Sequence, residues 1–358
     1  MSDRASRFHA NPWHGVFYVT GGGSPLLAEM LSTAGASGTV LEAQVPYAAQ
    51  ALTDLLGRAP ERASSTETAL QLAITAYQRA QALGTQPLFG LGCSAALATN
   101  RDRRGSDRAH WALQLADATY GFSAAYEDGD RAQQEAALLA QLWASLQMVF
   151  EDEAAPDDVT CSQARVAAPM AALLEGEPHK TCTQPHHARL ILPGSFNPVH
   201  DGHKRMLSIA SEQTGEQGAF ELTQHNADKP SLDFLTLDAR LAQFPDQPVW
   251  VTNVPTFAEK ARLFPEATFA LGVDTMARLA QLRFYGGSRV NFDAALDTFE
   301  SFNTRFLVFG RLVGDEFVTL DELSLPPRLA DRCIQVDESR FRNDISSTQL
   351  RAAREDDS

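Results

Sequence analysis

The chain has 358 residues, of which 44% are hydrophobic and 21% charged, and its formal net charge is −15. This length predicts two domains, each able to bury a core without disulfides. The acidic balance argues against general binding to nucleic acid or to anionic membranes, because such binding needs a basic surface. A small nucleotide substrate stays compatible with it, since a small ligand meets only its own pocket.

The cysteines and the N-terminus indicate the compartment. No Cys-x-x-Cys pair occurs among the four cysteines, so we predict reduced thiols at Cys93, Cys161, Cys182 and Cys333. The first 15 residues are polar and lack an apolar signal core, and no apolar run has the length of a membrane span. We therefore expect a cytoplasmic protein.

Residues 1–150 alternate strand-like and helical patterns, which is typical of one α/β domain. The patterns predict strands at GVFYVT, PLFGLGCSAAL, HWALQLAD and YGFSAAYE, the last two as a pair. They predict helices at PLLAEMLSTAG, TETALQLAITAYQRAQALG and RAQQEAALLAQLWASLQMVF. Pro25 lies near the start of the first helix, and Gly35 and Gly84 are expected stops for the first two.

Residues 151–187 are rich in acidic residues and prolines, which predicts a linker with a short helix in SQARVAAPMAALLEG. From residue 188 to 358, strand-like and helical segments alternate again. This alternation predicts a second α/β domain, a Rossmann-like doubly wound parallel sheet. Ligands of such sheets bind where the strands end. Residues 194–203, 224–229 and 272–274 all follow predicted strands, so we expect them to meet at one edge.

The stretch GSFNPVHDGH lies between a predicted strand and a predicted helix. Gly194 would let the backbone approach a ligand, and His200 and His203 would share one face of the helix start. Backbone amides there attract anions, so the two histidines could hold phosphate oxygens. A turn with two surface histidines is the ordinary alternative. A zinc site is weaker, because no third ligand has motif spacing.

The stretch NDISSTQLR places hydroxyl groups at a predicted helix start, with Arg351 one turn further on. Hydroxyls, free amides and a guanidinium that face one point can clamp a phosphate. An ordinary N-cap followed by a surface arginine is the alternative explanation.

Together the two stretches resemble the HxGH nucleotidyltransferase superfamily, and most of all the nicotinamide and nicotinate mononucleotide adenylyltransferases. The motif GxFxPxHxGH is complete from Gly194 to His203, and the motif ISSTxxR is complete from Ile345 to Arg351. The segment LGVDT resembles the Gly-x-Asp segment of the family, which would place Asp274 near a ribose. The segment NADKP resembles its acceptor loop, which would bring Lys229 to the acceptor phosphate.

The resemblance implies in-line attack of the acceptor phosphate on the α-phosphorus of ATP, with Mg²⁺ bound to the phosphates and pyrophosphate leaving. His200, His203 and Arg351 would be the catalytic residues, and no protein ligand of the metal is assigned. The nucleotides would be bound by Gly194, Ser195, Phe196, Asn197, Lys229, Asp274, Ser346, Ser347 and Thr348. The partners implied are ATP and a mononucleotide. Lys204 and Arg205 could contribute positive electrostatic potential at the phosphates, or they could be solvated charges on the helix surface. Trp250 could stack on a base or belong to the core.

Residues 16–149 resemble the C-terminal domain of competence-damage-inducible (CinA) proteins, the nicotinamide-nucleotide amidohydrolase fold. Tyr18 stands where that family has a serine before its Thr-Gly-Gly segment, and its Thr-Gly-x-Ala-Gly-Pro segment is replaced by sequence around Cys93. Thr20, Ser24 and Cys93 are candidate nucleophiles only by residue type. We therefore expect a degenerate domain without deamidase activity, kept as a scaffold, dimer surface or nucleotide binder.

Two other functions stay open at this point. The acceptor could be another phosphorylated metabolite or the donor CTP, or the chain could be a nucleotide-binding regulator without turnover. The pyridine base, homo-oligomerisation and the role of residues 283–304 are likewise open.

Overall fold

In the computed structural model, the described residues are 3–84, 87–100, 105–127, 129–225, 231–313 and 316–342. They form two compact units. The first comprises the described residues of the ranges 1–174 and 228–238, and the second those of the ranges 175–227 and 239–358. Each unit has its own core of buried apolar side chains.

The first unit is built on a six-stranded mixed sheet of order β2-β1-β3-β4-β5-β6, parallel from β2 to β3 and antiparallel beyond. Its strands are β1 (His14–Thr20), β2 (Val40–Gln44), β3 (Leu88–Ala96), β4 (Asp107–Gln114), β5 (Ala118–Tyr126) and β6 (Thr160–Arg165). Its helices are α1 (Asp3–His9), α2 (Ser24–Ser32), α3 (Ala49–Leu56), α4 (Thr66–Leu83), α5 (Arg131–Glu151) and α6 (Ala168–Ala171).

Helix α4 lies directly on β3 because two glycines of that strand leave room for its backbone. A Cβ atom at Gly90 would lie 2.2 Å from the carbonyl oxygen of Ala73, and one at Gly92 would lie 2.4 Å from that of Ala69. The helix begins after the N-cap Ser65, whose hydroxyl accepts from the Thr68 amide, and ends before Gly84. The predicted stop at Gly84 is confirmed. Helix α2 ends at Ser32, before the predicted stop at Gly35.

The segment 151–187, predicted as a linker, contributes a strand to each sheet instead. β6 pairs with β5 at the edge of the first sheet, and β7 (Lys180–Cys182) pairs antiparallel with β10 (Val249–Thr252) at the edge of the second. Only Ala164 of β6 is buried. Because β6 is an exposed edge strand, its sequence does not alternate apolar and polar residues, which is the pattern that identifies a strand. The division between the units accordingly falls after Leu174.

The second unit has a seven-stranded sheet of order β15-β12-β11-β8-β9-β10-β7, parallel except for β7. Its further strands are β8 (Leu190–Pro193), β9 (Gly218–Thr223), β11 (Thr268–Gly272), β12 (Arg305–Phe309) and β15 (Cys333–Gln335), with a separate hairpin of β13 (Arg311–Val313) and β14 (Glu316–Val318). The helices that follow α6 are α7 (Asp201–Thr214), α8 (Phe234–Leu241), α9 (Phe257–Leu263), α10 (Val273–Leu279), α11 (Arg289–Ser301) and α12 (Pro327–Ala330). Of these, α8 belongs to the first unit up to residue 238.

This strand order creates a switch point in the sheet. From β8 the chain proceeds to β9 and β10 on one side, and then returns to β11 and β12 on the other. Connections leave β8 and β11 in opposite directions, which opens a crevice at their carboxyl ends. The predicted fold class, α/β with a Rossmann-like parallel sheet in the C-terminal half, is confirmed.

Residues 283–304, whose role was open, contain α11. Its apolar face carries Phe292, Leu296 and Phe299 into the core of the second unit, so this helix supports the sheet. Within the described parts of the chain, no helix is both long and apolar enough to cross a membrane.

Candidate active site

The loop from β8 to α7 brings His200 and His203 together. His200 immediately precedes α7, and His203 is the third residue of the helix. Their rings stack with centroids 3.7 Å apart and planes 26° apart, and the backbone amide of His200 donates to Nδ1 of His203 at 3.3 Å. In a neutral ring an accepting Nδ1 leaves the hydrogen on Nε2. His203 therefore has a donor left for a ligand oxygen.

Burial keeps both imidazoles neutral at neutral pH. Desolvation lowers the pKa of His200, although the nearby charge of Asp201 partly raises it. Desolvation, together with the neighbouring His200, lowers the pKa of His203 to about 4. Nδ1 of His200 is buried and has no hydrogen-bond partner among the described residues. A buried polar nitrogen without a partner costs stability.

A cavity of about 350 Å³ opens beside the two histidines, within the second unit. It lies at the carboxyl ends of β8, β11 and β12, the edge at which doubly wound sheets bind ligands. Its lining combines polar groups with aromatic and aliphatic side chains: Leu192, Pro193, His200, Gly202, His203, Met206, Phe257, Ala270, Leu271, Gly272, Asp274, Thr275, Phe309, Gly310, Arg311 and Phe341. Its size and mixed lining suit a small organic ligand.

The lining of this cavity also includes Gly272, Asp274 and Arg311. Gly272 ends β11 and precedes α10, and a Cβ atom built on it would meet no heavy atom within 4 Å. Asp274, in the first turn of α10, forms an ion pair with Arg311 of β13. Both partners of this pair are more than two-fifths exposed, so the pair is screened and can exchange partners at low cost. A guanidinium beside the histidines can therefore meet a phosphate.

The structure brings His200, His203 and Asp274 to one cavity, as the sequence predicts. Gly194, Ser195, Phe196 and Asn197 form the adjoining loop but do not contribute to the cavity lining. A Cβ atom at Gly194 would lie 2.6 Å from the Phe196 ring. Glycine is thus needed there for contact with Phe196, whereas we expected contact with a ligand. Lys229, Ser346, Ser347, Thr348 and Arg351 lie outside the described residues.

Three further candidates lie elsewhere on the second unit. Nε1 of Trp250 donates to His186 Nδ1 at 3.0 Å, and the Trp250 ring packs edge-on against Phe264. Trp250 is therefore part of the packed interior and does not stack on a base in the cavity. Lys204 and Arg205 are exposed and do not line the cavity. Among the described residues, no cluster of three His, Cys, Asp or Glu side chains suits a metal ion.

Two of the three candidate nucleophiles of the first unit, Thr20 and Cys93, are buried. Cys93 is fully buried, and burial raises its pKa to about 12, with Glu135 adding to the effect. The Thr20 hydroxyl is buried and donates to the Pro46 carbonyl. Tyr18, at the position of the family serine, is buried and donates to Glu42 at 3.0 Å. Ser24 is the exposed first residue of α2.

The glycine loop after β1 is closed by side chains of α5. The Gly23 amide donates to Glu135 at 2.9 Å, and Arg131 donates to the Gly21 carbonyl at 2.8 Å and to Glu135. A Cβ atom at Gly21 would lie 1.9 Å from the Ala95 carbonyl oxygen. Gly21 is therefore required by close packing against Ala95. The Gly23 amide, which could have bound an anion, already donates to the Glu135 carboxylate.

Comparison with known proteins bears on both halves of the chain. Residues 191–353 match the family described as cytidylyltransferase-like. The C-terminal part of the chain is thus similar to nucleotidyltransferases, and this supports a nucleotidyltransferase activity in general. A comparison with curated protein sequences found no significant match.

The solved structures similar to this chain include several competence-damage-inducible proteins. One is CihA from Agrobacterium tumefaciens, with 21% identity over 42% of this chain and 93% of that chain, and a TM-score of 0.35. A CinA superfamily protein from Klebsiella pneumoniae has 16% identity over 42% and 95%, with a TM-score of 0.35. One from Escherichia coli has 13% identity over 42% and 93%, with a TM-score of 0.32.

Sequence reasoning missed several residues that shape the cavity. Arg311 lies 37 positions after Asp274 and follows no motif, so only the fold brings the two together. Phe257 and Phe341 come from separate segments whose patterns indicate only apolar burial. The signal that could have been used is the pair Gly310-Arg311 at the end of the apolar run 306–309, since ligands bind at the carboxyl ends of parallel strands.

Proposed function

We propose that the second unit transfers AMP from ATP to a pyridine mononucleotide, nicotinamide or nicotinate mononucleotide, and releases pyrophosphate. The observation that carries the proposal is the stacked pair His200 and His203, which opens into a cavity at the switch point of the sheet. The complete motif from Gly194 to His203, with its Phe-Asn-Pro-Val-His wording, favours this acceptor over those of cytidylyltransferases.

The proposed chemistry needs charge stabilisation and positioning rather than a covalent intermediate. A phosphate of the acceptor attacks the α-phosphorus of ATP, the bond to the bridging oxygen breaks, and pyrophosphate leaves with the electron pair. Mg²⁺ enters with ATP as part of the substrate. His203 donates from Nε2 to an oxygen of the transferring phosphate, and His200, whose ring stacks on His203 and also lines the cavity, binds a second phosphate oxygen.

The remaining residues of the site have proposed binding roles. Asp274 accepts from a ribose hydroxyl once Arg311 turns to a phosphate. Phe257 and Phe341 supply apolar surface for a base. Lys229, Ser346, Ser347, Thr348 and Arg351 keep the phosphate-binding roles that the resemblance implies.

Product analysis with a matched variant tests the proposal. The 358-residue protein is incubated with Mg²⁺, ATP and either mononucleotide, and dinucleotide and pyrophosphate are quantified. We expect equal amounts of both products. His203→Ala should lower the rate by ~10²–10³-fold, because one donor to the developing charge is lost. His187→Ala, at an exposed residue outside the cavity, should leave it unchanged.

The same assay separates the alternatives. Replacing ATP by CTP, or the pyridine nucleotide by other phosphorylated acceptors, identifies a different transferase. Nucleotide binding in a thermal-shift assay without pyrophosphate release from any pair would favour a regulator. Dinucleotide formation that His203→Ala does not change would refute the assigned roles.

A further inference from the structure

The loop that carries the motif is held from outside by the segment after α8. Gln243 makes two hydrogen bonds to this loop with one carboxamide. Its Nε2 donates to the Phe196 carbonyl at 3.2 Å, and its Oε1 accepts from the Val199 amide at 3.0 Å. Arg240 adds a third bond by donating to the Ser195 carbonyl at 3.0 Å.

These hydrogen bonds satisfy backbone groups that lie outside any helix or strand and so have no partner in regular secondary structure. Ser195, Phe196 and Val199 lie between the end of β8 and the start of α7, and the backbone of Phe196 has a φ of +43°. A non-glycine residue in the left-handed region persists only where its surroundings hold it. Gln243 bonds to the carbonyl of this residue and to an amide three residues later, so it spans the turn.

The inner side of the loop is fixed by the Phe196 ring. This ring packs edge-on against Phe220 and Phe244, with centroid distances of 5.1 and 5.4 Å, and against His203 at 5.0 Å. Phe244 is the neighbour of Gln243 in the chain. One short segment thus supports the loop through an aromatic contact on the inside and a carboxamide at the backbone.

We propose that Gln243 is a positioning residue that preorganises the loop 194–199, and through Phe196 the imidazole of His203, before any nucleotide arrives. This inference rests on the proposed function of the site. A loop already ordered loses less conformational entropy on binding, and displacement of a reacting group by an ångström is costly in rate. Gln243 does not line the cavity, so it acts without touching the substrate.

Two variants and a control isolate this role. Gln243→Met keeps the length of the side chain and removes both hydrogen bonds, whereas Gln243→Glu keeps the acceptor for the Val199 amide. Gln247→Met is the control, because Gln247 is a half-buried glutamine of the following turn whose Oε1 has no partner among the described residues. Thermal denaturation of each protein checks that it is folded.

Hydrogen exchange of the Val199 amide, followed by NMR on the ligand-free 358-residue protein, is the first readout. We expect exchange at least roughly tenfold faster in Gln243→Met, restored towards wild type in Gln243→Glu, and unchanged in Gln247→Met. Unchanged exchange in Gln243→Met overturns the proposal, whether or not the protein proves to be a transferase.

Steady-state kinetics is the second readout. Gln243→Met should raise the KM for the mononucleotide and lower kcat, each by several-fold, with partial rescue in Gln243→Glu. A variant that only lost folded protein would lower the apparent kcat at constant KM, and that result also counts against positioning. A wild-type protein without transferase activity would refute the proposed function, while the exchange experiment would still decide the role of Gln243.

Discussion

At the scale of single residues, the two histidines illustrate how burial sets chemistry. Stacking at 3.7 Å would be repulsive for two imidazolium ions, and desolvation also favours the neutral forms. Both imidazole rings are therefore neutral before an anion binds. A phosphate oxygen can accept a hydrogen bond from Nε2 of the neutral His203 ring, so this contact needs no change of protonation state.

This burial predicts a pH dependence of stability. The pKa of His203 is about 4 in the folded chain, against an ordinary value of 6.5. Between these values the unfolded chain binds a proton that the folded chain does not, so the free energy of unfolding falls as the pH falls through this window. His203→Gln lacks this contribution. Its loss of stability from about pH 7 to about pH 5 should be smaller by on the order of 1 kcal/mol.

Denaturant unfolding of both proteins at the two pH values measures this difference. Carboxylates elsewhere titrate in both proteins, so their contributions cancel in the comparison. Equal losses in wild type and variant would show that His203 titrates normally and is not desolvated in the folded chain.

At the scale of elements, the junctions between strands and helices carry the site. β8 leads to the histidines at the start of α7, and β11 leads through Gly272 to Asp274 in α10. The sequence predicts the first junction, because an apolar run, a glycine and a helical pattern follow one another there. At the second junction the sequence predicts the strand and the place of Asp274 at its end, but not the seven-residue helix α10. It does not predict the β13–β14 hairpin that supplies Arg311, since three-residue strands leave too little periodicity to recognise.

Gly272→Ala tests the role of the second junction. Gly272 has a φ of −79°, and an added methyl group meets no protein atom within 4 Å, so folding should tolerate it at a cost below ~1 kcal/mol. The methyl group would take space at the edge of the cavity. We expect ATP affinity, measured by calorimetry, to fall by roughly tenfold.

Gly176→Ala provides the comparison for this variant, because that glycine is also in open space and does not line the cavity. Its ATP affinity should equal that of the wild type. Wild-type affinity in Gly272→Ala as well would place the nucleotide away from Gly272.

At the scale of the whole molecule, two units with separate cores share one acidic chain. From its sequence we expect the first unit to be a degenerate domain, and two of its candidate nucleophiles, Thr20 and Cys93, are buried. A nucleophile needs an oriented base to act. The glycine loop of this unit is filled by Glu135 and Arg131.

We therefore expect no deamidase activity from the 358-residue protein. Incubation with nicotinamide mononucleotide should release no ammonia above the background of a heat-denatured sample. Ammonia release that Ser24→Ala or Cys93→Ala abolished would contradict this expectation and would reassign the first unit as an enzyme.

The sequence by itself determined the α/β class, the long helices such as α4 and α5, and the meeting of His200, His203 and Asp274. These depend on local periodicity and on the rule that parallel strands end at one edge, both of which can be inferred from order along the chain. Strand β6, the division after Leu174 and the presence of Arg311 and Gln243 at the site were decided only by the tertiary structure. Each depends on pairing or hydrogen bonds between segments distant in sequence, and their residues carry no apolar pattern to reveal it. Gly194 shows the same limit, because its motif position was evident but its need for glycine arises from the Phe196 ring.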